Sequence, residues 1–234
     1  FAGPNGGYLL AICVRAMLTE VPFPDPLAIS AHYLRPAAVG PAEIATEPIR
    51  AGKRHASAQA SLSQNGKEVV RVTGTFADLD GATGRTLLLD PAPELAPPGD
   101  GLDPMARVPD TVPMPSIAER LEYRTQSLPG WLAGEPSGDP RFEYWMRFRD
   151  GREPDPLSLT FLVDAGAPAV LEIGEFVSST IELSVYVRAR PKSDWLAFRQ
   201  STRYLTSGYH DEDVEIWDAK GTLVAQARQL ALLG

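Results

Sequence analysis

The sequence predicts an α+β fold, two tandem copies of a long apolar helix wrapped by an antiparallel β-sheet, on three observations. An apolar stretch of helical character heads each half of the 234-residue chain. Each is followed by four runs that alternate apolar and polar residues, as half-buried strands do. The halves also match in order: Leu34-Arg35-Pro36 is answered by Val187-Arg188-Ala189-Arg190-Pro191, and the turn Asn65-Gly66 by Asp218-Ala219-Lys220-Gly221. Arg35 and Arg188 lie 153 residues apart, and Gly66 and Gly221 155. A helix of this kind buries itself in the concave face of the sheet that follows it.

Phe1 to Gly7 is a glycine-rich turn feeding the first helix, whose Leu9, Leu10, Ile12, Cys13, Ala16 and Met17 form one stripe. Asn5 is placed to cap it, and Gly6 and Gly7 let another group approach the free N–H donors of the first turn. Such donors favour a developing anion; a tight turn and nothing more is the alternative. Pro22, Pro24 and Pro26 end the helix. Leu27, Ile29, Ala31 and Tyr33 then share a strand face, with His32 on the other face and no acidic partner at local spacing to make it a base. Three strands follow, the last two joined by Asn65-Gly66, a strong hairpin signal.

Prolines at 91, 93, 97, 98, 104, 109, 113 and 115 make 78–115 a mostly extended surface linker between a first unit, 1–77, and a second, 116–234. The second unit opens with two strand-like runs, IAERLEYRTQSL and RFEYWMRFRD, before its helix at Pro156–Ile173 and four more strands. The first unit has no counterpart of that strand pair, which is therefore expected upstream of Phe1.

With a formal charge of −8 and 22 Lys and Arg spread without a basic block, the chain is not built for nucleic acid or an anionic membrane. One cysteine, Cys13, and three histidines off ligand spacing, His32, His55 and His210, argue against a metal site. Cys13, on the apolar stripe, reads as core. No apolar run spans a membrane and no signal peptide is seen, so a cytoplasmic location is expected. Open sheet edges point to a homodimer or higher homo-oligomer.

Asp164 is the one carboxylate of the second helix before Glu172. Burying it is costly unless it is hydrogen-bonded, paired or kept neutral. It reads either as a capping or core-satisfied residue, or as a general base whose pKa burial has raised. Gln229 shares a strand face with Leu223, Ala225, Ala227 and Ala231, an amide where an apolar side chain is expected. Thr180 shares its alternation face with Glu182 and Ser184 and reads, alone, as a solvated strand start.

A helix wrapped by a long antiparallel meander is the hot-dog arrangement, so the repeat predicts a double hot-dog. AISAHYLRPA and IRAGKRHASAQASLSQNGKEV closely resemble the first half of acyl-CoA thioesterase II and its actinobacterial thioesterase-like relatives. FLVDAGAP, SSTIELSVYVRA and IWDAKGTLVAQARQLAL resemble the second half. The resemblance implies hydrolysis of a fatty or related acyl-CoA by a water held and activated by Asp164, Thr180 and Gln229. Gly6 and Gly7 amides are candidates to meet the oxyanion. No metal is implied, and no cofactor beyond the coenzyme A of the substrate. Some relatives carry a histidine where this chain has Ser30, so no role passes to His32. The alternative is a non-catalytic protein binding acyl-CoA or another hydrophobic ligand on the same fold. A hot-dog hydratase is disfavoured because the Asp164 helix contains no histidine.

Overall fold

A computed structural model describes residues 3–108 and 114–234, leaving Phe1 and the linker prolines Pro109 and Pro113 outside the described residues. The chain begins with helix α1, Gly6–Leu18, then strands β1 Asp25–Tyr33, β2 Glu43–Ala51, β3 Ala56–Gln64 and β4 Lys67–Ala77. After the proline-rich stretch come β5 Leu121–Arg124, β6 Arg141–Phe148, helix α2 Pro156–Leu162, β7 Ser178–Val187, β8 Leu196–Ser201, the short β9 Leu205–Thr206, β10 Tyr209–Asp218 and β11 Leu223–Leu233. All eleven described strands form one antiparallel sheet in the order β2-β3-β4-β1-β7-β11-β10-β8-β6-β5, with β9 beside β10. No helix among the described residues is long and apolar enough to cross a membrane.

Local chemistry explains the elements. Asn5 caps α1 by accepting the Tyr8 N–H at 3.0 Å, and the helix buries Leu9, Leu10, Cys13, Val14 and Met17 against the sheet. Asn65 and Gly66 both take positive φ, 51° and 71°, the backbone of the two-residue turn that joins β3 to β4. The repeats meet where β1 pairs with β7, Ser30 opposite Ser184. From that seam β4, β3 and β2 extend one way and β11, β10 and β8 the other, an approximate two-fold relation. Strands β6 and β5 prolong the second side. Each seam strand carries a β-bulge at the same place: register slips past Leu27 in β1 and past Ile181 in β7.

Two expectations need correction. The second helix is not long: Asp155 caps it and Pro156 starts it, but it ends at Leu162, only 7 residues later. Gly166 and Pro168 lie just beyond, and a helical Pro168 would clash with the carbonyl of residue 164. Residues 163–168 therefore form a turn, followed by a 3₁₀ segment, Ala169–Ile173, that closes on Gly174 at φ 84°. The run from Ile117 to Leu128 is only partly strand, since Ser116–Arg120 is 3₁₀ and β5 holds four residues. Among the described residues the proline-rich stretch is mostly without helix or strand. It contains 3₁₀ turns at Pro98–Asp100 and Pro104–Arg107 and is fastened to the second half, with Trp145 Nε1 donating to Ala96 O at 2.9 Å and Arg199 to Pro91 O at 3.1 Å.

Candidate active site

Asp164 stands in the turn after α2, half-buried, at the N-terminus of α1. Its Oδ2 accepts the Gly7 N–H at 2.7 Å and the Asn5 amide at 3.1 Å, while Asn5 Nδ2 also donates to Asp164 O at 2.8 Å. Asn5 thus caps α1 with its oxygen and ties down the Asp164 turn with its nitrogen. The approach requires glycine at position 7. A Cβ there would lie 2.6 Å from Phe161 O and 2.8 Å from Asp164 Cβ. With Oδ2 committed to the helix N-terminus, a favourable place for a carboxylate, Oδ1 remains as the acceptor that can face a substrate.

Burial pushes the Asp164 carboxyl up to about 6, against the lowering effect of the Gly7 and Asn5 hydrogen bonds. The Tyr33 ring crosses the same spot: its Cζ and Asp164 Oδ2 both lie 3.1 Å from where a Gly6 Cβ would be. The buried Tyr33 hydroxyl has no hydrogen-bond partner among the described residues. Burial, and then the Asp164 charge, hold this phenol well above its ordinary range, so it stays protonated.

Thr180 and Gln229 are brought together, Thr180 Oγ1 donating to Gln229 Oε1 at 2.9 Å. Simple alternation puts Thr180 on the outer face with Glu182 and Ser184. The bulge at Ile181 reverses it, so that Thr180 stands opposite Ala231 on the inner face. Gln229 is buried on that face, as its apolar neighbours predict.

A residue that sequence reasoning passed over joins the Thr180–Gln229 pair. Glu212, on β10 directly opposite Gln229, is buried, accepting Gln229 Nε2 at 2.8 Å on one oxygen and the Ala169 N–H at 2.7 Å on the other. Burial raises its carboxyl to about 7, with hydrogen bonds from Ala169, Gln200 and Gln229 opposing the rise and the Asp164 charge adding to it. The signal was available: His210, Glu212, Val214 and Ile216 alternate on one face.

The turn carrying Asp164 is fixed to this wall at several points. Tyr123 OH donates to Ala165 O at 2.9 Å, and Gln200, itself accepting from Tyr144 OH, donates to Ala167 O at 2.8 Å. Gly166 is required where the turn crosses, because a Cβ would fall 2.2 Å from Tyr144 OH.

A hot-dog-like double repeat with this cluster invites comparison with known proteins. The family description of the acyl-CoA thioesterase N-terminal domain matches residues 1–77, and that of the acyl-CoA thioesterase C-terminal domain matches residues 92–233. The chain belongs to the acyl-CoA thioesterase family. A Thermobifida fusca YX protein provisionally named thioesterase II superposes with a TM-score of 0.87 at 30 % identity, over 100 % of this chain and 88 % of that one. A protein of unknown function with a hot-dog fold, from Alicyclobacillus acidocaldarius, gives 0.86 at 24 % identity over the same shares, 100 % and 88 %. An uncharacterized Mycobacterium tuberculosis (strain ATCC 25618 / H37Rv) protein is 28 % identical over 252 residues, 98 % of this chain and 85 % of the relative. The hot-dog fold is thereby established, with a large antiparallel sheet and two α-helices among the described residues.

Within this acyl-CoA thioesterase family member the approximate two-fold generates a second, related position in the first copy, which lacks these polar groups. The Glu212–Gln229 pair corresponds to the opposed pair Ala58–Gly74, and Thr180, opposite Ala231, to Pro26, opposite Phe76. Small and apolar residues stand where the second copy has carboxylate, amide and hydroxyl. Asp164 nonetheless depends on the first copy, whose α1 supplies Gly7 and Asn5. His32 is exposed, and the Ser30 hydroxyl donates to Glu182 across the seam at 2.9 Å.

Proposed function

We propose that this chain is an acyl-CoA thioesterase that hydrolyses a fatty or related acyl thioester by direct attack of water. The observation that carries the reading is Asp164 itself: a carboxylate anchored through one oxygen at a helix N-terminus, with its other oxygen left over and its pKa raised to about 6, where an effective general base lies near neutral pH. In the proposed step Asp164 Oδ1 takes a proton from water as the water oxygen bonds to the acyl carbon. The C–S bond then breaks, and the departing thiolate of coenzyme A takes up the proton that Asp164 received, which restores the carboxylate as the carboxylic acid leaves.

Thr180 and Gln229 orient the water. Of the two glycine amides, Gly7 is engaged by Asp164, so Gly6 takes the oxyanion role in this reading. The enzyme would work in the cytoplasm, without a cofactor beyond the coenzyme A of its substrate. A second copy would cover a sheet edge such as β2, and light scattering showing a monomer at micromolar concentration would remove that part.

Thiol release from a panel of acyl-CoAs tests the activity, with Asp164→Ala and Gln229→Ala beside the parent. We expect Asp164→Ala to lose on the order of a hundredfold or more, the contribution of a positioned base. A parent as inert as its variants, yet still binding acyl-CoA by calorimetry, would replace the enzyme with a hydrophobic-ligand binding protein.

A further inference from the structure

We propose that Glu212 is a positioning residue that fixes the donor and acceptor sense of the Gln229–Thr180 pair, an inference that rests on the thioesterase reading of the site. Glu212 is the link between the turn that carries Asp164 and the pair on the sheet: Ala169, five residues on from Asp164, donates to one carboxylate oxygen and Gln229 to the other.

An ionised carboxylate only accepts hydrogen bonds. The Gln229 amide must then turn its nitrogen to Glu212 and its oxygen to Thr180, and the Thr180 hydroxyl must spend its single proton on that oxygen, as the 2.9 Å contact has it. Thr180 is left able only to accept, and Gln229 Nε2 keeps one free N–H. In the thioesterase reading, the attacking water would donate one proton to Asp164 and the other to Thr180, and accept from Gln229. Three of its four tetrahedral directions are filled. The fourth, a lone pair, is left for the acyl carbon.

Protonated Glu212 would reverse this order. Its O–H could donate to Gln229 Oε1, the amide would turn over, and Thr180 would be met by a donor and point its own proton at the water. The water would lose an acceptor and its lone pair would be drawn away from the substrate. Groups facing Glu212 make its ionisation a property of the site: Asp164 from the turn after α2, whose charge opposes it, Tyr144 from β6, and His210 on its own strand. Its hydrogen-bond partners Ala169, Gln200 and Gln229 are neutral donors.

Glu212→Gln is the test, because it keeps the volume but cannot accept from both Ala169 and Gln229. Two readouts are taken: the kcat and KM of acyl-CoA hydrolysis from pH 5 to 9, and the ¹⁵N–¹H signals of the Gln229 side-chain amide over the same range. We expect kcat to fall on the order of tenfold to a hundredfold, the scale of a misplaced reacting group, with KM little changed. The parent profile should rise through two ionisations and the variant through one. The parent's Gln229 amide should titrate with the upper ionisation.

Parental kcat in Glu212→Gln, or a parental Gln229 amide insensitive to pH, overturns the proposal. The amide titration is read on the parent and is independent of whether the variant folds. A parent that releases no thiol while its Gln229 amide titrates refutes the thioesterase reading and leaves the positioning role of Glu212 supported.

Discussion

Gly7→Ala should destabilise this protein, although alanine is the better helix former by about 1 kcal/mol. The added Cβ would stand 2.6 Å from Phe161 O and 2.8 Å from Asp164 Cβ, while ordinary contact needs roughly 3.5 Å. The N-terminus of α1 and the turn after α2 must therefore part by roughly 0.7–1 Å. That displacement stretches the 2.7 Å bond from Gly7 N to Asp164 Oδ2 past the limit of a hydrogen bond. Losing a hydrogen bond to a charged group costs about 1.5–3 kcal/mol, and overpacking costs about 1–3 kcal/mol. After the gain in helix propensity, a net loss of about 2–5 kcal/mol remains. For a chain of this size each kcal/mol moves the melting temperature by about 2–4 °C, so a drop of about 4–20 °C is expected by calorimetry.

Asp164 would also lose a bond that favours its ionised form, moving its pKa up from about 6. Because a general base acts ionised, activity at pH 6.5 should suffer more than activity at pH 8. A Gly7→Ala protein that melts at or above the parent, with its acid limb unmoved, refutes the close-approach account.

Two other substitutions follow from the same geometry. Asp164→Asn should abolish hydrolysis yet stabilise the fold at pH 8 by about 1–3 kcal/mol, since the parent holds an Asp whose folded pKa, about 6, exceeds the ordinary carboxyl value of 3.8. The folded state binds more protons between those values, so the parent loses stability as pH rises from 4 to 6, and the variant's advantage should vanish near pH 4; urea denaturation at both pH values checks this. Tyr33→Phe removes a buried hydroxyl without a partner among the described residues, so its unfolding free energy should fall by no more than about 1 kcal/mol. A loss of more than about 2 kcal/mol in urea would show that the hydroxyl is bonded.

Much of the fold was legible because it rests on local chemistry: the Asn5 cap, the Asn65-Gly66 turn and the alternation of β1, β3 and β11 are written in adjacent residues. The buried face of Gln229 could be read from its alanine neighbours. What escaped depends on the third dimension. A one-residue bulge reverses every alternation beyond it, so the inward turn of Thr180 could not be read from period-two spacing. The short α2 was hidden by an apolar composition that continues through the turn, although Gly166 and Pro168 marked its end. Glu212 went unnoticed because its flanking acids point outward; only the paired Gln229, 17 residues away in the chain, makes it a wall residue rather than a surface one.

The Ala58, Gly74 and Pro26 positions that mirror Glu212, Gln229 and Thr180 bear on how such a site can arise. In a homodimer of single repeats every substitution appears twice, so two carboxylates buried with raised pKa values would become four, each with its desolvation cost. Joining the repeats in one polypeptide removes that obligation. One half can carry the costly buried carboxylates while the other evolves toward tight apolar packing, giving the candidate site a stabilising twin that lacks its polar groups.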